Sequence, residues 1–166
     1  FAPLFLSPHF RRKWGEPEGG SFAILDSTDP GQVLETAAKF PLEKTMFIVA
    51  SKSGGTAEVN AMFNYFWAQA EKAFGEKAGK HFIAITDPAT TLEALANARG
   101  FRKTFLADPT VGGRFSALGL FGLVPAALMG IDLERFLDRA EWMMRQSTAA
   151  VAGPRNPGLS LGAVIG

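Results

Sequence analysis

The sequence predicts an α/β fold, a doubly wound three-layer αβα sandwich with a parallel sheet. Three observations carry this. Short apolar runs alternate with longer amphipathic stretches, the order of βαβ units. The runs show no polar alternation, as expected of strands covered on both faces. Each run also leads into a loop rich in Ser, Thr, Asp or Gly, and in such sheets ligands sit beyond the carboxyl ends of the strands.

Phe22 to Leu25 reads as the first buried strand, ending in Asp26-Ser27-Thr28. A helix follows, with Asp29 as N-cap and Pro30 at its first position. Thr45 to Ala50 is the second strand. The stretch "SKSGGTAE", Ser51 to Glu58, then opens a helix predicted over Thr56 to Phe74. Val59, Met62, Phe63, Phe66, Trp67, Ala70 and Phe74 recur at helical spacing and form one wide apolar face. Gly75 and Gly79 mark its exit.

His81 to Thr86 is the third strand, ending in Asp87-Pro88. Thr90 to Ala98 is a short helix that Gly100 ends. Lys103 to Leu106 is the fourth strand. After "ADPTVGGR" the spacing predicts a helix over Phe115 to Met129. Asp132 caps a last helix with Leu133, Phe136, Leu137, Ala140 and Met143 on one face. Beyond Ala152, Gly and Pro predict an irregular connection. Residues 1–152 are thus read as a single domain cut from a longer protein. Residues 153–166 are read as the link to a second domain.

Composition narrows the function. A net charge of +1 offers no broad field for nucleic acid or an acidic membrane. The longest uncharged run, Phe115 to Ile131, is shorter than the ~20 residues of a membrane span and contains Pro125. The absence of cysteine excludes a disulfide framework, a thiolate metal site and a cysteine nucleophile, and it fits a reducing compartment, the cytoplasm.

"SKSGGTAE" has the chemistry of an anion cradle. The first amides of a helix have no partner inside it and carry the positive end of the helix dipole. Gly54 and Gly55 let backbone approach a ligand closely. The hydroxyls of Ser51, Ser53 and Thr56 can donate to oxyanions, and Lys52 adds a charge. Neither nucleotide motif, G-x-x-x-x-G-K-[ST] nor G-x-G-x-x-G, is present. A small phosphate ester fits better; a merely capped strand-to-helix turn uses the same residues.

The same stretch resembles the S-K-[ST]-x-[ST]-T-x-E segment of glucose-6-phosphate isomerases. "DPTVGGRFSALGLFGLVP", Asp108 to Pro125, resembles their longer G-G-R-[FY]-S signature. The likeness runs in order along Ser21 to Asp132. The wording of "ILDSTDP" and of the segment from Gly100 to Asp132 is most similar to isomerase domains fused to transaldolase. The resemblance implies the sugar-isomerase (SIS) fold. It also implies interconversion of glucose 6-phosphate and fructose 6-phosphate through a cis-enediolate, without metal or organic cofactor. The implied partners are a sugar phosphate, the remainder of the isomerase chain and, at full length, a second copy.

Residue by residue, Ser51, Ser53 and Thr56 match the phosphate-binding hydroxyls, and Lys52 matches a position that binds through its amide. Gly55 and Val59 depart from the pattern, because many members carry hydroxyls there. Arg114 matches the arginine near the reacting carbons; the plainer role is an ion pair with Asp108 or Asp87. Gly112 and Gly113 before it are expected to allow a backbone path that a Cβ would block. Glu58 matches a glutamate that steers a histidine supplied from elsewhere, or serves the helix dipole. His9 and His81 are weak candidates for catalysis, and Asp26 and Asp87 read as caps or loop anchors. The resemblance implies that the family's first strand and its Gly-Gly-Ser phosphate loop lie before this stretch, and the family's proton-transferring glutamate, ring-opening histidine and C-terminal lysine have no match in this chain. By itself it is therefore expected to bind weakly and not to isomerise. The alternative is a noncatalytic phosphosugar-sensing module.

Overall fold

The structure, a computed structural model, describes residues 22–166. Among them three strands form one parallel sheet in the order β1 (Phe47–Ala50), β2 (Phe82–Thr86), β3 (Lys103–Leu106). Phe47 pairs with Phe82, and Ile83 with Lys103.

Helix α1 (Pro30–Lys39) starts as its sequence predicts. The Asp29 carboxylate accepts the Gln32 amide at 2.9 Å, and Pro30 occupies the first turn. Helix α2 (Ala57–Phe74) buries Phe63, Phe66, Trp67 and Ala70, the centre of the predicted apolar face. Helix α3 (Thr91–Ala98) is capped by Thr90, whose hydroxyl accepts the Glu93 amide. Leu92 and Ala96 of α3 join the α2 residues, Val49, Phe82, Ala84 and Phe101 in the main core. Along β2, Phe82 and Ala84 face this core. Ile85, out of phase with them, is buried on the other face of the sheet, where α4 (Leu120–Leu128) packs against β2. Helices thus cover both faces, which gives the three layers. A second cluster joins Ala126, Met129 and Ile131 to Phe22, Leu133 and Phe136. Helix α5 (Leu133–Gln146) is capped by Asp132, which accepts the Arg135 amide at 3.0 Å.

Three expectations need correction. Phe22 to Leu25 is not a strand. Phe22 packs on the second cluster and Leu25 on the first, so the run is held by side chains and has no ladder partner among the described residues. The helix expected over Phe115 to Met129 is broken in two. A 3₁₀ segment, Gly113–Leu118, runs into Gly119 at φ −100°, ψ −173°, and α4 starts only after it. That extended glycine resets the chain direction between them. The third correction is at the C-terminal end, where Pro157–Ile165 is a helix, α6. Asn156, buried, accepts the amides of Gly158 and Leu159 and donates to the carbonyls of Thr148 and Val151. Pro157 sits in the first turn, where its lost N–H has no cost, so it starts a helix instead of breaking one. Among the described residues no helix is long and apolar enough to cross a membrane.

Candidate functional site

In a parallel sheet all carboxyl ends lie on one edge. Ser51 to Thr56 follow β1, Asp87 follows β2, and the Asp108 to Arg114 loop follows β3. Neighbouring strands are about 4.8 Å apart, so the ends of β1 and β3 stand about 10 Å from each other with β2 between. The two sequence motifs therefore share one rim of the molecule.

The loop after β1 is anchored from below and open above. Ser51 is buried, its amide donating to the Ile85 carbonyl and its hydroxyl 2.9 Å from that of Thr56. Thr56 is the N-cap residue of α2, yet its side chain caps no amide. Among the described residues the amides of Lys52, Ser53, Gly54, Thr56, Ala57 and Glu58 donate to no protein acceptor. A run of unpartnered donors at the start of an 18-residue helix has the chemistry to hold an anion. Ser53, Gly55, Thr56 and Glu58 are exposed, which leaves the run accessible.

Gly54 is fixed by its conformation. It stands at φ +72°, and a Cβ there would lie 2.8 Å from Thr90 Cβ and 2.9 Å from the Leu92 amide nitrogen. Its carbonyl accepts the Thr91 hydroxyl at 3.0 Å. So the first turn of α3 holds the loop from behind. Gly55 is different: it has ordinary φ and open space around it. Sequence reasoning misses this part played by Thr90 and Thr91. The T-x-x-E pattern at Thr90 and Glu93 signals a helix start, but nothing local signals a bond across 37 residues.

The Lys52 side chain is held by the two neighbouring loops. Its ammonium donates to both Asp87 carboxylate oxygens, at 2.8 and 2.6 Å, and to the Asp108 carbonyl at 3.2 Å. Asp87 is the loop anchor the sequence suggests. The Asp108 carboxylate accepts the Thr110 amide at 2.8 Å and the Thr110 hydroxyl at 2.7 Å. These two bonds hold its carboxyl below the usual aspartate value; desolvation opposes them, and the Lys52 charge adds a lesser lowering effect.

Both carboxylates proposed as plainer partners of Arg114 are thus engaged elsewhere. Among the described residues the Arg114 side chain makes no hydrogen bond or ion pair, and the residue is exposed. The ion pair with Asp87 or Asp108 is not formed, and the guanidinium stands on the rim without a protein acceptor among the described residues. Its two preceding glycines need correction. Gly112 lies at φ −61°, ψ 148°, where any residue fits, and a Cβ at Gly113 would touch nothing. They keep the approach to Arg114 clear, but the backbone path does not demand them. Ser116, buried behind them, donates to the Gly113 carbonyl at 2.7 Å.

Glu58, in the first turn of α2, is exposed and has no partner among the described residues. His81 precedes β2 and so lies at the far edge of the sheet. Its ring stacks on Phe74 at 4.1 Å and its Nδ1 is 3.2 Å from the Thr45 carbonyl, a structural role. His9 falls outside the described residues. Asp26 is exposed.

Comparison with known proteins gives the lineage. A family model described as phosphoglucose isomerase matches residues 3–161. The glucose-6-phosphate isomerase of Carboxydothermus hydrogenoformans is 39% identical over 126 residues, 75% of this chain and 27% of that protein. That of Geobacter sulfurreducens is 41% identical over 124 residues, 70% of this chain and 22% of that protein. The chain therefore spans about a quarter of the length of these relatives. Among solved structures, a hypothetical protein of Thermus thermophilus superposes with a TM-score of 0.77 at 34% identity, covering 86% of this chain and 35% of that one. A glucose-6-phosphate isomerase of Chlamydia trachomatis superposes with a TM-score of 0.59 at 28% identity, covering 79% and 24%. With the match extending over nearly its whole length, the chain belongs to the phosphoglucose isomerase family.

Proposed function

We propose that this chain is the sugar-phosphate-binding domain, of SIS type, of a glucose-6-phosphate isomerase. The observation that carries the reading is the set of unpartnered amides between Lys52 and Glu58, all but that of Gly55, beside the hydroxyls of Ser51, Ser53 and Thr56. A phosphate dianion placed there meets backbone donors, hydroxyls and a helix dipole, with no carboxylate in the cradle to repel it. Glu58 stands at its edge.

In this proposal the phosphate fixes one end of the sugar, and the reacting carbons reach towards the loop after β3. Isomerisation moves a proton between C1 and C2. A cis-enediolate forms on the way, and its oxygens gather negative charge. Arg114, always protonated and unengaged by protein carboxylates, is suited to stabilise that charge. A module that only senses a phosphosugar has no need of a cation held free at this place, which favours the enzyme over the sensor. The chemistry asks for no metal or organic cofactor from this chain. Glu58 would orient a histidine brought by another part of the isomerase. The proton-transferring base has no counterpart among the residues of this chain, so the polypeptide alone should bind substrate weakly and not turn it over. At full length we expect a cytoplasmic homodimer.

The test is a titration of the 166-residue chain with glucose 6-phosphate, followed by amide chemical shifts. Shifts should move at Ser51 to Glu58 and at Gly112 to Arg114. No movement at Ser51 to Glu58 would reject the reading. In parallel, glucose 6-phosphate incubated with the chain should yield no fructose 6-phosphate; robust turnover would overturn the proposed division of labour.

A further inference from the structure

The geometry points to Asp87 as a positioning residue, one that acts through Lys52 to fasten the loop carrying Arg114 to the loop that cradles the phosphate. The inference deepens the functional reading above and depends on it.

Three strand ends meet in this arrangement. Lys52 follows β1, Asp87 follows β2 and Asp108 follows β3. A primary ammonium has three donors. In Lys52 all three are used: two on the Asp87 carboxylate, at 2.8 and 2.6 Å, and one on the Asp108 carbonyl, at 3.2 Å. The Asp87 amide answers by donating to the Lys52 carbonyl at 3.2 Å. Asp87 is therefore bonded to Lys52 through both main chain and side chain. The side chains of the pair are only 25% and 16% exposed, so the pair is not a loose surface contact.

The third bond gives the arrangement its reach. The Asp108 carbonyl opens the turn that leads to Gly112, Gly113 and Arg114, and it also accepts the Val111 amide at 3.3 Å. The Asp108 side chain closes on Thr110. The segment is thus rigid at its start, and the Lys52 ammonium is the side chain that ties that start to the neighbouring loop. Asp87 does two things. It aims the ammonium away from the anion cradle, and it keeps its charge paired, so that the cradle grips phosphate by amides and hydroxyls. A displacement of the β1 loop on binding phosphate must then be felt at Asp108 and beyond it.

The test follows two groups of amides, Ser51 to Glu58 and Gly112 to Arg114, as inorganic phosphate is added to the 166-residue chain. Inorganic phosphate seated in the cradle has no sugar to touch Arg114, so movement of the second group at the cradle's own midpoint reports the fastening, whereas movement only at a separate midpoint, from phosphate on Arg114 itself, would overturn the inference. In the unsubstituted chain both groups should shift with one midpoint. In Asp87→Asn the first group should still respond, with affinity changed less than about fivefold, as for a partly exposed ion pair. The response of Gly112 to Arg114 should be lost. Asp87→Glu, which keeps a carboxylate, should recover it. Lys52→Met, read in the same way, should lose the second response as Asp87→Asn does, and serves if Asp87→Asn fails to fold. An undiminished response at Gly112 to Arg114 in either folded variant would overturn the inference and leave the phosphate site standing. Silence at Ser51 to Glu58 in the unsubstituted chain would overturn the functional reading, and the inference with it.

Discussion

The hydroxyl of Ser51 lies 2.9 Å from that of Thr56, closing the cradle from inside. Thr56 holds the N-cap position of α2 but turns its side chain to Ser51 and not to a helix amide. Among the described residues the Ser51 hydroxyl is its side chain's one partner, and Thr56 itself is exposed at the helix start. Thr56→Val keeps the shape and removes the hydroxyl. It should weaken phosphate binding by one charge-assisted bond, about 1.5–3 kcal/mol. That is roughly 10- to 150-fold in affinity. Calorimetry with a sugar phosphate measures it, with thermal unfolding as control. Full affinity in the variant would remove Thr56 from the grip.

Adjacent glycines in this loop should answer oppositely to substitution. Gly54 has φ +72° and is pressed against Thr90 and the Leu92 backbone. Gly54→Ala should cost at least about 1 kcal/mol from the left-handed conformation alone, with the contact adding to it. Gly55 has open space and an ordinary φ, so Gly55→Ala should leave the melting temperature nearly unchanged. Gly55→Ser restores a hydroxyl of the kind the family pattern leads one to expect there. It should tighten phosphate binding, with about 1.5–3 kcal/mol as the ceiling for one bond to a charged group. Unchanged or weaker binding by Gly55→Ser would place the anion away from this residue.

Stability of the whole rim depends on the aromatic core beneath it. Phe82 of β2 is fully buried, with the rings of Phe47, Trp67, Phe101 and Phe63 at 5.0, 5.3, 5.4 and 5.6 Å. Phe82→Ala leaves a cavity among four rings that cannot all move inward. The expected cost is about 3–5 kcal/mol. This is a large share of the ~5–15 kcal/mol available to a domain of ordinary stability. Urea unfolding reads it as a lower midpoint at an unchanged slope. A shift equivalent to less than about 1 kcal/mol would mean that the core closes over the gap.

The legible parts of the sequence are those fixed by short-range chemistry. The caps Asp29 and Asp132 act within three residues of themselves, and both helices start where these residues stand. The apolar face of α2 follows from one period, and its centre is the core. What the sequence hides depends on partners far along the chain. Phe22 to Leu25 has strand composition, but a strand needs a ladder neighbour, and composition carries no word of one. Pro157 reads as a breaker because its N-cap, Asn156, draws its buried position from Thr148 and Val151, outside the local pattern. At the rim, the loop residues can be read from their hydroxyls and glycines. The pairing of Lys52 with Asp87, across 35 residues, cannot, although it is what leaves Arg114 without an acidic partner.

Acidity should expose the turn that begins the Arg114 loop. The Asp108 carboxyl is held below its ordinary value of 3.8, first by the Thr110 hydroxyl, then by the Thr110 amide, and last by the Lys52 charge. Its folded pKa is lower than its unfolded one. The stabilisation is therefore complete above pH 3.8 and is lost as pH falls through the folded value below that. Near neutrality Asp108 contributes no pH dependence. Thr110→Val removes the largest of the three causes and keeps the amide. The carboxyl titration of Asp108, followed by side-chain carbon shifts, should move up in this variant while staying below 3.8. Asp108→Asn, which cannot titrate, should unfold in acid without this contribution to the pH dependence. An Asp108 midpoint unmoved by Thr110→Val would mean that the hydroxyl does not hold the carboxylate. The turn that starts the loop would then depend on the amide and on the ammonium of Lys52.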